Sequence, residues 1–322
     1  MQVIPYSDSL HNEWDRLVRE SRNATFLLER SYMDYHKDRF SDCSLLFVKD
    51  SGKVLGGMPA NFKEQEKVVE SHGGLTYGGL LLSEDAHLCD VRDMLRICAE
   101  HYLQLGAHFL EYKPIPYFYH RYPSGDDLYW LFRADARLSA RAVSSVIDLQ
   151  APLHFSTLRR RKVKNAMSQG LACVQESDEV SWSRFWQILT ETLETCHHTV
   201  PVHSVEEMLL LHRRFPDSIR LHLVKEGTSV LGGCVVYSCP PVAHVQYIAA
   251  NRMGKEKCAL DFLFCHLIHQ YKETHRYFDF GISTERRGTF LNEGLVFQKE
   301  GFGGRAACYD SYCVNLEKLV GL

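Results

Sequence analysis

The sequence predicts an α/β protein with mixed sheets, built from two tandem copies of one structural unit. Three observations lead to this prediction. A hairpin motif occurs twice, the elements that follow it keep the same order in both halves, and each half then contains one long helix. The chain has 322 residues, of which 45% are hydrophobic and 24% are charged. Such a composition is ordinary for a globular protein, and the length favours two domains.

A strand–turn–strand motif carries the internal repeat. Residues 47–57 read FVKDSGKVLGG, and residues 223–233, which lie 176 positions later, read LVKEGTSVLGG. Each hairpin is followed by a segment in the place of a third strand, then by an amphipathic helix, and then by a short strand, HFLEY or YFDFG. Four elements in the same order twice indicate duplication rather than chance.

The boundary between the copies falls near residues 140–156, where a predicted strand gives way to a basic helix. We therefore divide the chain into an N-terminal unit, 1–150, and a C-terminal unit, 151–322. The first copy has an acidic segment, LLLSEDAHL, where the second copy has a basic turn. We expect the first copy to be structural or to bind an acceptor, and the second to hold the donor site.

Composition excludes several classes of function. The formal net charge of −3 argues against a DNA-binding protein. The eleven cysteines form no C-x-x-C pair, which favours free thiols over disulfides or zinc, so we expect no metal. No apolar run is long enough to span a bilayer, and the N-terminus lacks a secretion signal. We predict a cytoplasmic protein without integral membrane association.

A basic turn follows the central strand of the second copy. The strand HVQYIAA, residues 244–250, runs into the turn at 251–257, and a helix follows. Unpaired N–H groups and the helix dipole at such a point can bind phosphate. Gly254 would let the backbone approach a ligand, and Arg252, Lys255 and Lys257 add positive charge. The alternative is a solvated helix cap.

The order of elements and four segments resemble the GNAT acyltransferase superfamily, and within it the bacterial FemAB-like tandem-GNAT acetyltransferases. The segments are PVHSVEEM, HVQYIAANRMGKEKCALDFLF, YFDFGIST and LNEGLVFQKEGFGG. The resemblance covers most of the chain and is strongest from about 155 to 315. The family's turn reads Gln/Arg-x-x-Gly-x-Gly/Ala. Here Arg252 stands one residue closer to Gly254, and Glu256 replaces the second small residue.

The resemblance implies an N-acyltransferase that uses acetyl-CoA or another acyl-CoA as co-substrate. In GNAT folds the fourth strand binds the pantetheine arm and the turn after it binds the pyrophosphate. By the resemblance, the arm would lie on Tyr247, Ile248 and Ala249, and the pyrophosphate on the turn residues Arg252, Gly254, Lys255 and Lys257. The acceptor would be an amine of a sugar, peptide or cell-envelope precursor, attacking the donor directly in a ternary complex.

Acyl transfer to an amine needs a proton acceptor and a proton donor. His203 is our first candidate base, because imidazole titrates near neutrality, and His197 and His198 are alternatives. Glu285 follows YFDFGIST at a strand end, where it could orient the amine or pair with an arginine. Tyr247 could protonate the leaving thiolate, or it could be a buried tyrosine with a satisfied hydroxyl.

Two other functions remain open at the level of sequence. Some FemAB-like members transfer amino acids from aminoacyl-tRNA to peptidoglycan precursors, and the basic run at 159–164 favours tRNA as a partner. Those members carry a long helical arm, whereas residues 178–216 read as two helices of ordinary length. We therefore expect tRNA less than acyl-CoA. The third hypothesis is a non-catalytic GNAT-like binding module. Lys299, in LNEGLVFQKE, is expected to shape the acceptor side.

Overall fold

The computed structural model describes residues 1–322, except for the side chains of Cys196 and His197, so the candidate base His197 lies outside the described residues. The helices are α1 (His11–Glu20), α2 (Arg30–Met33), α3 (Leu88–Gln104), α4 (Asp126–Arg133), α5 (Thr157–Met167), α6 (Glu179–His197), α7 (Val205–Arg214), α8 (Arg252–Glu256), α9 (Ala259–Lys272), α10 (Glu293–Glu300) and α11 (Leu316–Val320). The strands are β1 (Gln2–Pro5), β2 (Leu45–Val48), β3 (Val54–Met58), β4 (Asn61–Lys63), β5 (Val68–Glu70), β6 (Leu81–Leu82), β7 (Phe109–Tyr112), β8 (Arg137–Asp148), β9 (Ala172–Glu176), β10 (Ile219–Glu226), β11 (Ser229–Cys239), β12 (Val242–Ala250), β13 (Tyr277–Ile282), β14 (Thr284–Glu285), β15 (Phe290–Leu291) and β16 (Arg305–Asn315).

The chain folds into two compact units. The first comprises Met1–Val143, Thr284–Phe290 and Cys308–Leu322, and the second comprises Ser144–Ser283 and Leu291–Ala307. This division differs from the predicted 1–150 and 151–322 chiefly at the C-terminus. The end of β16 and α11 join the first unit because their apolar side chains, from Val314, Leu316 and Leu319, fill its core beside α3.

The first unit contains two sets of paired strands. β1, β2, β3 and β6 form an antiparallel sheet in that order. β4 pairs with β5 and β7 pairs with β16, both antiparallel, while β5 and β7 are parallel. The core includes the inward faces of β2, β3 and α3, with Phe47, Met94 and Tyr102 fully buried. In this unit the third strand after the hairpin is reduced to the two residues of β6.

The second unit is one mixed sheet in the order β8-β13-β12-β11-β10-β9. Its neighbouring strands are antiparallel except for β12 and β13, which run parallel. Helix α9 packs on one face, where Leu263, Phe264 and Leu267 meet Ala243 and Val245 of β12. Helix α6 also packs on β11 and β12.

Both units keep the predicted order of hairpin, helix and strand. β2–β3, α3 and β7 in the first unit correspond to β10–β11, α9 and β13 in the second. Each hairpin contains a register shift close to its turn. The mixed α/β fold class with two related units is therefore confirmed. The stretch 178–216 holds the two ordinary helices α6 and α7, also as predicted.

Helix α5 carries the basic run at 159–164, but Arg159 does not belong to its exposed face. Arg159 is buried, its Nη1 donates a hydrogen bond to Asp261 Oδ1 of α9 at 2.5 Å, and its guanidinium lies 5.3 Å from the Phe302 ring. Arg160 and Arg161 are exposed. Arg159 therefore ties α5 to α9, and an external anion cannot use it without breaking that pair.

Replacing Arg159 by Met should lower the free energy of unfolding by about 3 kcal/mol, because the buried Asp261 carboxylate loses its closest cation. Arg160→Met is the matched control on the same helix, and we expect it to change stability by less than about 0.5 kcal/mol. Urea denaturation of the two variants measures the difference. Equal effects of the two substitutions would contradict a structural role for Arg159.

Candidate active site

The central feature of the second unit is an opening between the parallel strands β12 and β13. In the described chain their ladder ends at the pair His244 and Asp279, although β12 continues to Ala250 and β13 to Ile282. Beyond that pair no described strand pairs with this edge of β12. On β13 the Gly281 N–H bonds to Asp279, and the carbonyls of Gly281 and Ile282 bond to Lys299. An extended ligand in the opening would therefore pair with β12.

A β-bulge in β12 controls which side chains face the opening. The β11–β12 register shifts so that Gln246 is the extra residue, between Val245 and Tyr247. Ala243 and Val245 face α9, and strict alternation would place Tyr247 on that same face. The extra residue reverses the alternation, and Tyr247 instead contacts residues of α6 and the loop before α7.

Tyr247 forms a hydrogen-bonded pair with His203. The Tyr247 hydroxyl lies 2.5 Å from His203 Nδ1, and the Trp186 ring packs 5.0 Å from the tyrosine ring. The Trp186 indole N–H also donates to the backbone carbonyl of His203. His203 is buried directly before α7, where Ser204 and Glu207 form the capping box that the spacing Ser-x-x-Glu predicts. The structure thus brings together two residues that the sequence nominated separately.

The His203–Tyr247 pair can hold a proton in either of two positions. A bare Nδ1 accepts the hydroxyl proton of Tyr247, and a protonated Nδ1 donates to the phenol or phenolate oxygen. The short O···N separation suits transfer along this bond. The pair is therefore able to deliver a proton and then recover it.

A second pair, His244 and Asp279, stands where the two strands part. Asp279 is fully buried, and its Oδ2 lies 2.8 Å from His244 Nδ1. Its Oδ1 accepts the Gly281 backbone N–H at 2.9 Å and the hydroxyl of Ser144. These donors offset the cost of burying a carboxylate.

Sequence reasoning missed the His244–Asp279 pair, although one signal for it was present. Asp279 interrupts an otherwise apolar strand, YFDFG, between two phenylalanines that pack on α9. A charged residue at such a position is rarely buried unless it is paired. Its partner is set by the parallel register of two strands 35 residues apart in the chain, and no local pattern contains that register.

Lys299 of α10 fastens the far end of β13. Its Nζ donates to the carbonyls of Gly281 and Ile282, at 2.7 and 3.0 Å, and to the Ser283 hydroxyl at 2.8 Å. Burial lowers the pKa of Lys299 to about 8, and the negative charge of Asp279 opposes that shift. These three bonds engage all three ammonium protons and hold the end of β13, while the predicted role of Lys299 on the acceptor side stays a prediction.

Glu285, the remaining catalytic candidate, is exposed in β14. It belongs to the first unit, whereas His203 and Tyr247 belong to the second. The two histidine pairs of the second unit form without it. Its catalytic role stays a prediction.

The candidate pyrophosphate turn is the short helix α8. Asn251 caps it, and the Asn251 side chain accepts the Gly254 N–H at 2.8 Å. A Cβ on residue 254 would lie 2.2 Å from the carbonyl oxygen of Leu231. The glycine is therefore required for close packing of α8 on β11, which differs from the ligand approach expected from the sequence.

The charges around α8 are partly paired. Arg252 is exposed and bonded to Glu256 at 2.9 Å, while Lys257 forms an ion pair with Glu226 of β10. Lys255 is exposed. Of the residues assigned to the donor arm, Ile248 is exposed and Ala249 is buried. An anion at this turn would compete with exposed ion pairs, which are individually weak.

The described residues contain neither a cluster suited to a metal ion nor a helix suited to a membrane. Among the described side chains, no cluster of three or more His, Cys, Asp or Glu is placed to hold a metal ion. None of the described helices is both long enough and apolar enough to cross a membrane.

We expect the stability contribution of Lys299 to depend on pH. Its pKa is about 8 in the fold and 10.5 ordinarily, so the unfolded chain binds more protons between these values. The free energy of unfolding of the wild type, relative to that of a Lys299→Gln variant, should therefore rise with pH. The expected rise is about 1 kcal/mol per pH unit between pH 8.5 and 9.5. Urea denaturation at several pH values measures this, with exposed Lys272→Gln as control. A difference that is constant with pH would contradict the buried, desolvated ammonium.

Comparison with solved structures supports the fold, while no family model and no curated protein matches the chain. FemX superposes with a TM-score of 0.70 at 12% identity, over 100% of this chain and 99% of its own. The C-terminal domain of a putative lysylphosphatidylglycerol synthetase from Agrobacterium fabrum gives 0.60 at 14%, over 96% and 92%. A tandem GNAT protein from the clavulanic acid biosynthesis pathway gives 0.51 at 11%, over 98% of each chain. At these identities the likeness concerns the fold, and it confirms that this chain has a FemAB-like tandem GNAT fold.

Proposed function

We propose that this protein is an N-acyltransferase that moves an acyl group from an activated donor to an amine in the opening between β12 and β13. One observation carries the proposal. The opening begins at the His244–Asp279 pair, and a bulge two residues further along β12 places Tyr247, which bonds to His203, on the face of β12 that carries His244. The edge of β12 beyond the ladder can hold an extended donor, and the titratable groups stand beside it.

The reaction is a direct attack of the amine nitrogen on the acyl carbon. The nitrogen loses one proton, the bond from the acyl carbon to the leaving sulfur breaks, and the sulfur gains one proton. Tyr247 donates that proton from its hydroxyl, and His203 Nδ1–H replaces it along the 2.5 Å bond. General acid help of this kind contributes roughly 10²- to 10⁴-fold.

The cysteines near the site do not support a covalent enzyme intermediate. Cys265 is partly buried on α9, and burial raises the pKa of its thiol. Cys258, at the break between α8 and α9, is partly buried with a left-handed backbone. Thiolate rather than thiol is the nucleophilic form, so a raised pKa argues for packing.

Our first choice of donor is acetyl-CoA or another acyl-CoA. An extended pantetheine arm would pair with the edge of β12 at Tyr247–Ala249. Its phosphates would then reach the exposed cations Arg252 and Lys255 of α8. The acceptor is the amine of a sugar, peptide or cell-envelope precursor.

An aminoacyl-tRNA donor is the second candidate, and one feature favours it. The Gly254 N–H, which a pyrophosphate would need, is engaged by Asn251. Exposed Arg160, Arg161 and Lys164 on α5 could instead contact an RNA backbone. The ordinary lengths of α6 and α7 oppose this reading, since the resemblance associates tRNA users with a long helical arm.

Ligand-dependent thermal stability separates these donors. Acetyl-CoA at about a hundred times its dissociation constant should add roughly 2.7 kcal/mol to the free energy of unfolding. The double variant Arg252→Ala with Lys255→Ala should weaken binding about tenfold, while Lys272→Ala, on the exposed end of α9, should leave it unchanged. No stabilisation by acetyl-CoA or CoA, with stabilisation by aminoacyl-tRNA, would establish the second donor. If neither acetyl-CoA nor aminoacyl-tRNA stabilises the protein, the hypothesis of a non-catalytic binding module would be favoured.

The Tyr247→Phe variant tests the proposed acid. The phenyl ring keeps its packing on Trp186, so stability should fall by only about 1 kcal/mol. We expect kcat to fall by roughly 10²-fold or more with KM little changed, because the hydroxyl acts on the leaving group. Steady-state kinetics measure both constants, and exposed Tyr122→Phe is the control. An unchanged kcat would remove Tyr247 from the chemistry.

A further inference from the structure

We propose that His244, held by Asp279, is the catalytic base that removes the proton from the attacking amine. This inference rests on the proposed acyl transfer and assigns its missing proton acceptor. Neither residue was singled out by the sequence. The geometry that carries the assignment is the position of this pair at the last rung of the β12–β13 ladder, where the opening starts.

His244 and Tyr247 lie on the same face of β12. Ala243 and Val245 face α9, so His244, between them, faces the opposite side. The bulge at Gln246 brings Tyr247 to that side as well. His244 and Tyr247 are three residues apart, and three residues of strand span about 10 Å. An acyl group bound between the two side chains can therefore contact both of them. A base and an acid are thus placed on one surface, at two ends of one reacting group.

The contacts of Asp279 fix the tautomer of His244. A carboxylate only accepts hydrogen bonds, so the 2.8 Å contact requires the His244 proton to be on Nδ1. Nε2 is then the basic nitrogen. The Ser144 hydroxyl and the Gly281 N–H hold the carboxylate itself in place from β8 and β13. An ionised, oriented carboxylate also stabilises the imidazolium that forms when Nε2 takes a proton.

His203 suits the other role better. It is 7% exposed, and its Nδ1 is engaged by the Tyr247 hydroxyl. His244, in contrast, is only partly buried although it neighbours a fully buried acid. The residue beside the opening is therefore the one able to meet an incoming amine.

Every proton that is lost in the proposed acyl transfer is accepted by a named group. The amine nitrogen forms its bond to the acyl carbon and gives one proton to His244 Nε2. The bond from the acyl carbon to the leaving atom breaks, and Tyr247 supplies that atom with one proton. His203 reprotonates Tyr247. Solvent then takes the proton from His244 and returns one to His203, so neither an oxidant nor a metal ion is needed.

The test compares His244→Ala with the wild type, using the acyl donor and amine that the wild type turns over. We expect kcat/KM to fall by roughly 10²- to 10⁴-fold, and the acidic limb of its pH profile to disappear. Added imidazole should restore part of the rate. His266→Ala, an exposed histidine on α9, is the control and should keep wild-type activity. Retained activity, or an unchanged acidic limb, in His244→Ala would overturn the proposal.

A measurement without turnover separates this inference from the proposed function. Long-range proton–nitrogen NMR of the wild type should show His244 with its proton on Nδ1, and Asp279→Asn should change that tautomer. A proton on Nε2 in the wild type would overturn the assignment whatever the activity. If His244 carries its proton on Nδ1 but the protein transfers no acyl group from any donor, the tautomer assignment holds. The proposed function, and with it the catalytic role of the pair, would then be overturned.

Discussion

The buried carboxylate of Asp279 is the interaction on which the second unit depends. It links three strands at once, through Ser144 of β8, His244 of β12 and Gly281 of β13 itself. An unpaired charge at this depth would cost several kcal/mol, so the donors must be in place whenever the unit is folded. The carboxylate thus holds β12 and β13 together where their ladder ends, and β13 has a bulge in its pairing with β8 just beyond that point.

The two bulges explain how one sheet supplies both packing and chemistry. Regular alternation would send every second side chain of β12 into the core under α9. One extra residue at Gln246 interrupts that pattern after Val245. The residues before it complete the core, and Tyr247 after it becomes available for a polar partner. Lys299 stabilises the bulge in β13. Its ammonium bonds to the carbonyls of Gly281 and Ile282, in place of the hydrogen bonds that a neighbouring strand would provide.

The sequence predicted the parts of this structure that depend on local pattern. The repeated hairpin, the helix and strand after it, and the Ser204–Glu207 cap all follow from spacing along a few turns of chain. His203 and Tyr247 were nominated for their chemistry, but a bulge without a sequence signature brought them together. Arg159 was misread because its partner, Asp261, lies 102 residues away. Gly254 was expected to contact a ligand, which stays a prediction, and the carbonyl of Leu231 gives a packing reason for glycine that lies 23 residues away in the chain.

The interleaving of the two units along the chain has a consequence for how the protein is made. The polypeptide passes between the units four times, and the segment that completes the second unit ends at Ala307, before the one that completes the first at Leu322. Domains generally fold as units during synthesis, starting from the N-terminus. Here the order is reversed: the second unit can close while the first still lacks α11, whose Leu316 and Leu319 belong to the first unit's apolar core.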